Sequence, residues 1–131
     1  MIRTEARRLV RHRAGDQCEY CHVHQDAEPF VRYQVEHIIA RQHGGSDDEQ
    51  NLALACSHCN LHKGPNLTGI DPVTGAVEHL FHPRRQQWSE HFVSRGEVIV
   101  GLTATGRATV RVLDMNDPAR LELRRSLLSS S

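Results

Sequence analysis

The sequence is poor in aromatic residues and has no long apolar run. Only 5 % of its 131 residues are aromatic and 38 % are hydrophobic, which is a low share for a globular chain and predicts a thin core. No run of about eighteen apolar residues occurs, which excludes a transmembrane helix of the usual kind and predicts no membrane partner. No apolar stretch follows the basic N-terminal residues, which argues against a secretory signal.

The sequence also lacks net charge and is nearly without lysine. Sixteen basic residues balance sixteen acidic ones, which excludes a uniformly basic nucleic-acid coat but allows local patches. One lysine stands against fifteen arginines, and residues 1–14 alone hold five arginines and one glutamate. This local excess favours a surface for a polyanion, although a solvated helix face would have the same pattern.

Four cysteines form two C-x-x-C pairs, Cys18 with Cys21 and Cys56 with Cys59, and 34 residues separate the pairs. Two such knuckles predict one four-thiolate zinc site, whose binding energy would add to a thin core. A redox pair and four unrelated buried thiols are the alternatives. We expect the chain in a reducing cytoplasm, where disulfides are rare.

The hydrophobic pattern predicts a mixture of helices and short strands. Helices are expected at 2–14, from about Cys59 to Lys63, at 83–88, at 105–115 and from Pro118 into a serine tail. Strands are expected at 30–39, at 51–55 (or a tight turn), as a strand–turn–strand unit within 69–81, and at 97–102, with a polar loop at 41–50. No repeat or linker is evident, so we expect one domain over 1–131: a basic helix at 1–14, a core at 15–66 and an extension at 67–131.

A group of polar residues is framed by the two knuckles. Glu36 and His37 end the first predicted strand, Asn51 opens the second, and Asn60 and Lys63 follow the second knuckle. A carboxylate and an amide oxygen suit Mg²⁺, a neighbouring neutral histidine can accept a proton from water, and a lysine can balance phosphate charge. These are the parts of a metal-dependent phosphodiesterase.

At these residues the sequence resembles the HNH endonucleases. The resemblance rests on Cys-x-x-Cys, Val-Glu-His-Ile-Ile, Gly-Gly, Asn-Leu-Ala-Leu-Ala-Cys and Cys-Asn-x-x-Lys-Gly, in this order, and covers about residues 15–66. It implies an α+β fold with a ββα-metal core, stabilised by a four-cysteine zinc site, and we expect a C-terminal α/β extension beside it. The extension receives no separate function.

The resemblance also implies a role for each matching residue. His37 would be the general base, Glu36 would bind the catalytic metal, and Asn51 would hold the loop and orient the base. Asn60 stands where the family often has histidine and would be the second metal ligand, which favours Mg²⁺ or Mn²⁺ over softer ions. Lys63 would contact phosphate.

The resulting hypothesis is a DNA endonuclease in which His37 activates water and a metal on Glu36 and Asn60 stabilises the leaving oxygen. The DNA could be single- or double-stranded, RNA is an open alternative, and the oligomeric state is undetermined. A non-catalytic zinc-knuckle module that binds nucleic acid or protein is the second hypothesis, and a redox protein is the third. His43, close to the site, receives no role, and His58 is discounted as a zinc ligand because four cysteines complete a tetrahedron.

Overall fold

The computed structural model describes residues 1–129, which form an α+β structure of helices and two-stranded antiparallel sheets. The last two residues of the expected extension, in the serine tail, lie outside the described residues. Along the chain the helices and strands are α1 (Thr4–Ala14), β1 (Gln34–His37), β2 (Leu52–Ala55), α2 (Ser57–Lys63), β3 (Thr68–Ile70), β4 (Val77–His79), α3 (Trp88–His91), β5 (Phe92–Arg95), β6 (Val98–Gly101), α4 (Ala104–Val112) and α5 (Pro118–Ser129).

Helix α1 lies where the pattern predicts it and ends at Gly15, which adopts the left-handed conformation that glycine tolerates best. Its buried residue Val10 belongs to the main hydrophobic cluster. Arg13 extends from the last turn and donates through Nη2 to the carbonyl oxygen of Leu52 at 2.8 Å. The helix is thereby attached to the start of β2.

Strands β1 and β2 form a hairpin in which Gln34 pairs with Ala55 and His37 pairs with Leu52. The strand expected at 30–39 is therefore too long, because β2 offers only four residues to pair with. Phe30 lies outside the sheet and is 97 % exposed. All four residues of β2 are buried, so this strand is the centre of the small core.

Helix α2 follows β2 directly and begins at Ser57, two residues earlier than the predicted start near Cys59. Cys56 is the N-cap residue, and its sulfur accepts a hydrogen bond from the Cys59 amide at 3.3 Å. The helix ends before Gly64, as expected. The order β1, β2, α2 is the ββα arrangement.

The second half differs from the predictions in several places. The hairpin of β3 and β4 is confirmed, as are β6 and the start of α5, where Asp117 accepts from the Ala119 amide at 3.0 Å. The helix expected at 83–88 is wrong: the chain turns there, and α3 begins only at Trp88. Strand β5 was not predicted, and α4 ends at Val112 instead of Met115.

The second half packs on the first through aromatic residues, although it has no large core of its own. Trp88 donates through its indole nitrogen to the carbonyl oxygen of Tyr20 at 2.8 Å and stacks on His22 with ring centroids 4.0 Å apart. Phe81 and Phe92 join the same buried cluster as Val10. Within residues 1–129, no helix combines the length and apolarity needed to cross a membrane.

Candidate active site and metal centre

Glu36, His37 and Asn60 line one open groove of about 570 Å³ between the end of β1 and helix α2. The hairpin supplies Glu36 and His37, and the early start of α2 brings Asn60 onto its second turn, facing β1. Arg41, on the turn that follows β1, lines the same groove. The structure therefore brings together the residues that the sequence analysis assigned to the base and the catalytic metal.

The imidazole of His37 is held by a carboxylate. Its Nε2 lies 2.7 Å from Oδ1 of Asp47, and Nη2 of Arg41 donates to both carboxylate oxygens of Asp47 at 2.8 and 3.0 Å. The hydrogen bond from His37 is the main reason that the pKa of Asp47 lies below its usual range. An ionised carboxylate only accepts hydrogen bonds, so Nε2 carries a proton, and in the neutral ring Nδ1 is then the nitrogen with a free lone pair.

Asn51 holds the loop that connects the two strands. Its Oδ1 accepts from the amide of Ile39 at 2.9 Å, and its Nδ2 donates to the carbonyl oxygens of Ile39 and Ser46 at 3.0 and 2.8 Å. The side chain is buried, and these three hydrogen bonds satisfy its acceptor and both donors. Asn51 thus fixes the start of the loop, just after His37, against its end near Asp47.

Gly45 is the point of closest approach inside this loop. A Cβ atom at this position would lie 1.7 Å from the carbonyl oxygen of Ile39 and 2.9 Å from Nδ2 of Asn51. The first of these neighbours is backbone, which cannot move aside as a flexible side chain could. Only glycine therefore allows the loop to fold back on Asn51.

We expect Gly45→Ala to disrupt this loop and to lower any activity of the site by about five- to thirtyfold, roughly the effect of losing one or two hydrogen bonds at about 1 kcal/mol each. Faster hydrogen exchange at the Ile39 amide would show that its bond to Asn51 is lost. Gly44→Asn is the matched control, because Gly44 has a φ of +86° with open space around it, and asparagine tolerates that conformation. Equal exchange at Ile39 in the two variants would contradict the prediction.

The carboxylate of Glu36 is buried between two donors. The hydroxyl of Tyr20 donates to Oε1 at 2.5 Å, and the ammonium of Lys63 donates to Oε2 at 3.2 Å. Burial raises the pKa of Glu36, and the charge of Lys63 opposes that rise. The two side chains are 3.2 Å apart and both are almost fully buried, so they form a contact in a mostly dry environment.

Lys63 does not occupy the position that a direct phosphate contact would require. It is 2 % exposed, and its ammonium also donates to the carbonyl oxygens of His37 and Ile38 at 3.2 and 2.9 Å. All three donors of the ammonium are therefore used within the protein. Lys63 ties α2 to the end of β1 and holds Glu36.

The donors in the groove fit a hard divalent cation by their chemistry. The carboxylate oxygens of Glu36 and the amide oxygen of Asn60 are of the kind that Mg²⁺ and Mn²⁺ bind. Each carboxylate oxygen has two lone pairs, so the bonds from Tyr20 and Lys63 leave one on each oxygen. These residues can therefore contribute two ligands, and water would supply the remainder.

The four cysteines form a second, buried cluster. Their sulfur atoms all lie within 4.8 Å of one another, and Sγ of Cys21 lies 3.8 Å from Sγ of Cys56. A tetrahedral zinc ion with bonds of about 2.3 Å sets its sulfur ligands about 3.8 Å apart. Burial raises the pKa of the Cys18 thiol, whereas hydrogen bonding with Cys18 and then Cys56 lowers the pKa of the Cys21 thiol. The cluster has the geometry of a zinc site.

Arg120, from helix α5, lies directly beside the sulfur cluster. Its Nη2 approaches Sγ of Cys21 and Sγ of Cys56 at 3.7 and 3.6 Å, and the guanidinium forms a two-pronged ion pair with Glu28 at 2.9 Å for each contact. A four-thiolate zinc centre carries net negative charge, which a buried guanidinium can balance. His58, in contrast, points away and bonds the carbonyl oxygen of Asp114 at 2.8 Å.

The sequence analysis did not identify the partners of the site. Asp47 lies in an acidic run and was not singled out from its neighbours. A carboxylate ten residues after a candidate base, in a loop that contains glycine, could nevertheless have indicated a partner for His37. Tyr20 lies inside the first knuckle, and its hydroxyl gave no signal that it would reach Glu36. Arg120 lies 99 residues after Cys21, and a local pattern contains no information about that contact.

Comparison with protein families agrees with this arrangement. Residues 18–66 match the family model described as HNH endonuclease, and both cysteine pairs and the groove residues lie inside the matched segment. The suspected resemblance is thereby confirmed for this segment. Comparisons with curated proteins and with solved structures found no match. The HNH domain indicates a nuclease-type function.

Proposed function

We propose that this protein is a metal-dependent endonuclease that hydrolyses phosphodiester bonds in DNA. The observation that carries the proposal is the joint placement of His37, Glu36 and Asn60 in one groove of an HNH domain. The groove is open to solvent, so a polymer strand can reach the residues that line it. A base, a hard-ligand pair and access for a strand are the minimum parts that hydrolysis of a phosphodiester requires.

His37 acts as the general base through Nδ1. Asp47 accepts a hydrogen bond from Nε2 at 2.7 Å, which fixes both the tautomer and the orientation of the ring. A water molecule in the groove gives its proton to Nδ1 as it attacks phosphorus, and the carboxylate of Asp47 balances the positive charge that then develops on the ring. The bond between phosphorus and the 3′ oxygen breaks, and this oxygen takes a proton from solvent water, which gives a 5′-phosphate and a 3′-hydroxyl.

Glu36 and Asn60 would hold the catalytic Mg²⁺ or Mn²⁺. When bound, such an ion polarises a phosphoryl oxygen and stabilises the leaving oxygen. Tyr20 and Lys63 keep the Glu36 carboxylate in one orientation. We assign Lys63 a positioning role, since its ammonium is buried against Glu36, and we assign Asn51 the role of holding the loop that carries His37 and Asp47 in place.

The cysteine cluster would hold a structural zinc ion, with Arg120 balancing its charge. A redox role is less well supported, because four sulfurs close together are arranged for a shared ion and not as one exposed reactive pair. Such a site needs reduced thiols, the state that a reducing compartment such as the cytoplasm maintains.

The direct test is the conversion of supercoiled plasmid to open circles by the purified, zinc-loaded protein. Wild type is expected to nick DNA with Mg²⁺ or Mn²⁺ and not after addition of EDTA. Asn60→Ala removes one proposed ligand and is expected to lower the rate at least tenfold at low metal concentration, with partial recovery as the metal concentration is raised. That recovery is the signature of weakened metal binding.

His62→Ala is the matched control, because His62 is an exposed residue of α2 that does not line the groove. It is expected to cleave like wild type. The proposal fails if Asn60→Ala has the same rate and metal dependence as His62→Ala. It also fails if the folded wild type binds DNA but does not cleave random-sequence plasmid or long genomic DNA with either metal, which would favour a binding module.

A further inference from the structure

An arginine-lined groove runs beside the proposed active site. It lies between helix α1 and the segment that leads into β1, and its volume is about 410 Å³. Four of the eight residues that line it are arginines, and none is acidic: Arg7, Arg8, Arg11 and Arg32. Arg11 also fixes the two walls to each other, because its Nη2 donates to the carbonyl oxygen of Tyr33 at 2.7 Å.

None of these four arginines forms an ion pair within the described part of the chain, although the negative charge of Asp16 acts on Arg11. Among residues 1–129, five arginines form ion pairs, and none of them lines the groove: the ion-paired ones are Arg41, Arg84, Arg107, Arg120 and Arg125. Burial, followed by the positive charge of Arg32, lowers the pKa of Arg11. Crowded guanidinium groups without carboxylate partners create a positive potential that an anion would neutralise.

The arginine groove is continuous with the proposed active site. Gln34 and Val35 line both grooves, so the two meet along the outer edge of β1. Gln34 and Arg32 precede His37 by three and five residues, which corresponds to roughly 10–16 Å along an extended chain. A strand of duplex DNA advances about 3.4 Å per nucleotide along the axis, so this distance spans roughly three to five nucleotides.

We propose that the arginine groove binds the phosphates of the nucleic-acid substrate three to five nucleotides to one side of the scissile bond. The stated distance from the scissile bond rests on the proposed function. The binding of phosphates itself can be measured without cleavage. The exposed guanidinium groups of Arg7, Arg8 and Arg32 contact phosphate oxygens, while Arg11 keeps α1 against the strand edge. Such contacts position the backbone and read no bases, so the groove gives affinity and register but not sequence specificity.

The test is the affinity for a fluorescein-labelled 20-base-pair duplex, measured by anisotropy between 50 and 200 mM salt without Mg²⁺ or Mn²⁺. Arg7→Ala/Arg32→Ala is expected to weaken binding roughly tenfold at 150 mM salt and to reduce the slope of log K against log salt by about two, because two phosphate contacts are lost. Arg95→Ala/Arg111→Ala is the matched control, since both arginines are exposed and lie on the extension. It is expected to bind like wild type.

Substrate length provides the second measurement. Duplexes are trimmed to two base pairs on one side of the preferred cleavage position and compared with the full-length duplex. Wild type is expected to bind the trimmed duplex more weakly, whereas Arg7→Ala/Arg32→Ala is expected to bind both duplexes with the same affinity. Equal affinity and equal salt slope in the two double variants would overturn the proposal. So would loss of binding to phosphatidylserine vesicles in Arg7→Ala/Arg32→Ala while DNA binding is unchanged, which would assign the groove to a lipid surface. Lost DNA affinity in a protein that never cleaves would refute the proposed function alone.

Discussion

Replacing His37 with alanine is expected to reduce the rate of DNA cleavage by roughly three orders of magnitude, within the range of about 10² to 10⁴ for removal of a general base. The effect should fall on kcat and leave KM nearly unchanged, because proton transfer occurs only in the transition state. The side chain is 20 % exposed and bonds mainly to Asp47, so its removal should cost little stability. Single-turnover cleavage of a defined duplex measures the loss.

Two comparison experiments identify the role of the ring. Added imidazole should restore part of the His37→Ala activity, because a free ring can enter the space beside Asp47 and accept the proton. His62→Ala is the matched control, since His62 is an exposed histidine on α2 that does not line the groove. Wild-type rates in His37→Ala, or a similar loss in His62→Ala, would remove His37 from the mechanism.

Asp47 should contribute to catalysis through its contact with His37. Asp47→Asn retains a group that can accept from Nε2 but removes the charge that balances a protonated ring. We expect a roughly tenfold to hundredfold loss in kcat with little change in DNA affinity, and no further loss when the substitution is added to His37→Ala. The absence of an additional effect in the double variant is what distinguishes a positioning residue from an independent one.

The residues that could be predicted from sequence are those whose position follows from local structure. Glu36 and His37 are adjacent on a strand, Asn51 immediately precedes the partner strand, and Asn60 follows the second knuckle, so a hairpin followed by a helix brings them together almost unavoidably. Predicting which residues line the groove required no long-range information beyond the pairing of β1 with β2. An ordered set of short motifs is therefore a reliable guide to this kind of site.

The errors arose where local preference and tertiary context disagree. The alternating pattern at 30–39 predicts a strand, but a strand extends only as far as its partner, and β2 has four residues. The contact to Glu36 was also not predicted, since the resemblance assigned Lys63 to phosphate, whereas the structure buries its ammonium against Glu36. Burial of a charge depends on a partner, and spacing alone does not reveal which partner is near.

Loss of the zinc ion that we propose for the four-cysteine cluster is expected to have the largest effect on stability. Zinc binding contributes about 10–16 kcal/mol in small zinc-dependent peptides, which equals or exceeds the roughly 5–15 kcal/mol total stability of typical domains. Cys56 has several roles at once: its sulfur lies 3.8 Å from that of Cys21, caps α2, and contacts Arg120. We expect Cys56→Ala to bind less than one zinc per chain and to show no cooperative thermal transition.

Cys56→Ala also tests how far the first and second halves of the chain depend on each other for stability. Without the sulfur cluster, Arg120 would keep its ion pair with Glu28 but would face a buried space with no negative charge, so α5 should detach along with α2. His58→Ala is the control, since His58 lies inside the second knuckle but bonds the carbonyl oxygen of Asp114. It should retain one zinc per chain and a cooperative transition. Elemental analysis and circular dichroism on the same samples decide the matter: stoichiometric zinc and an unchanged melting temperature in Cys56→Ala would show that the cluster is not the structural centre of this fold.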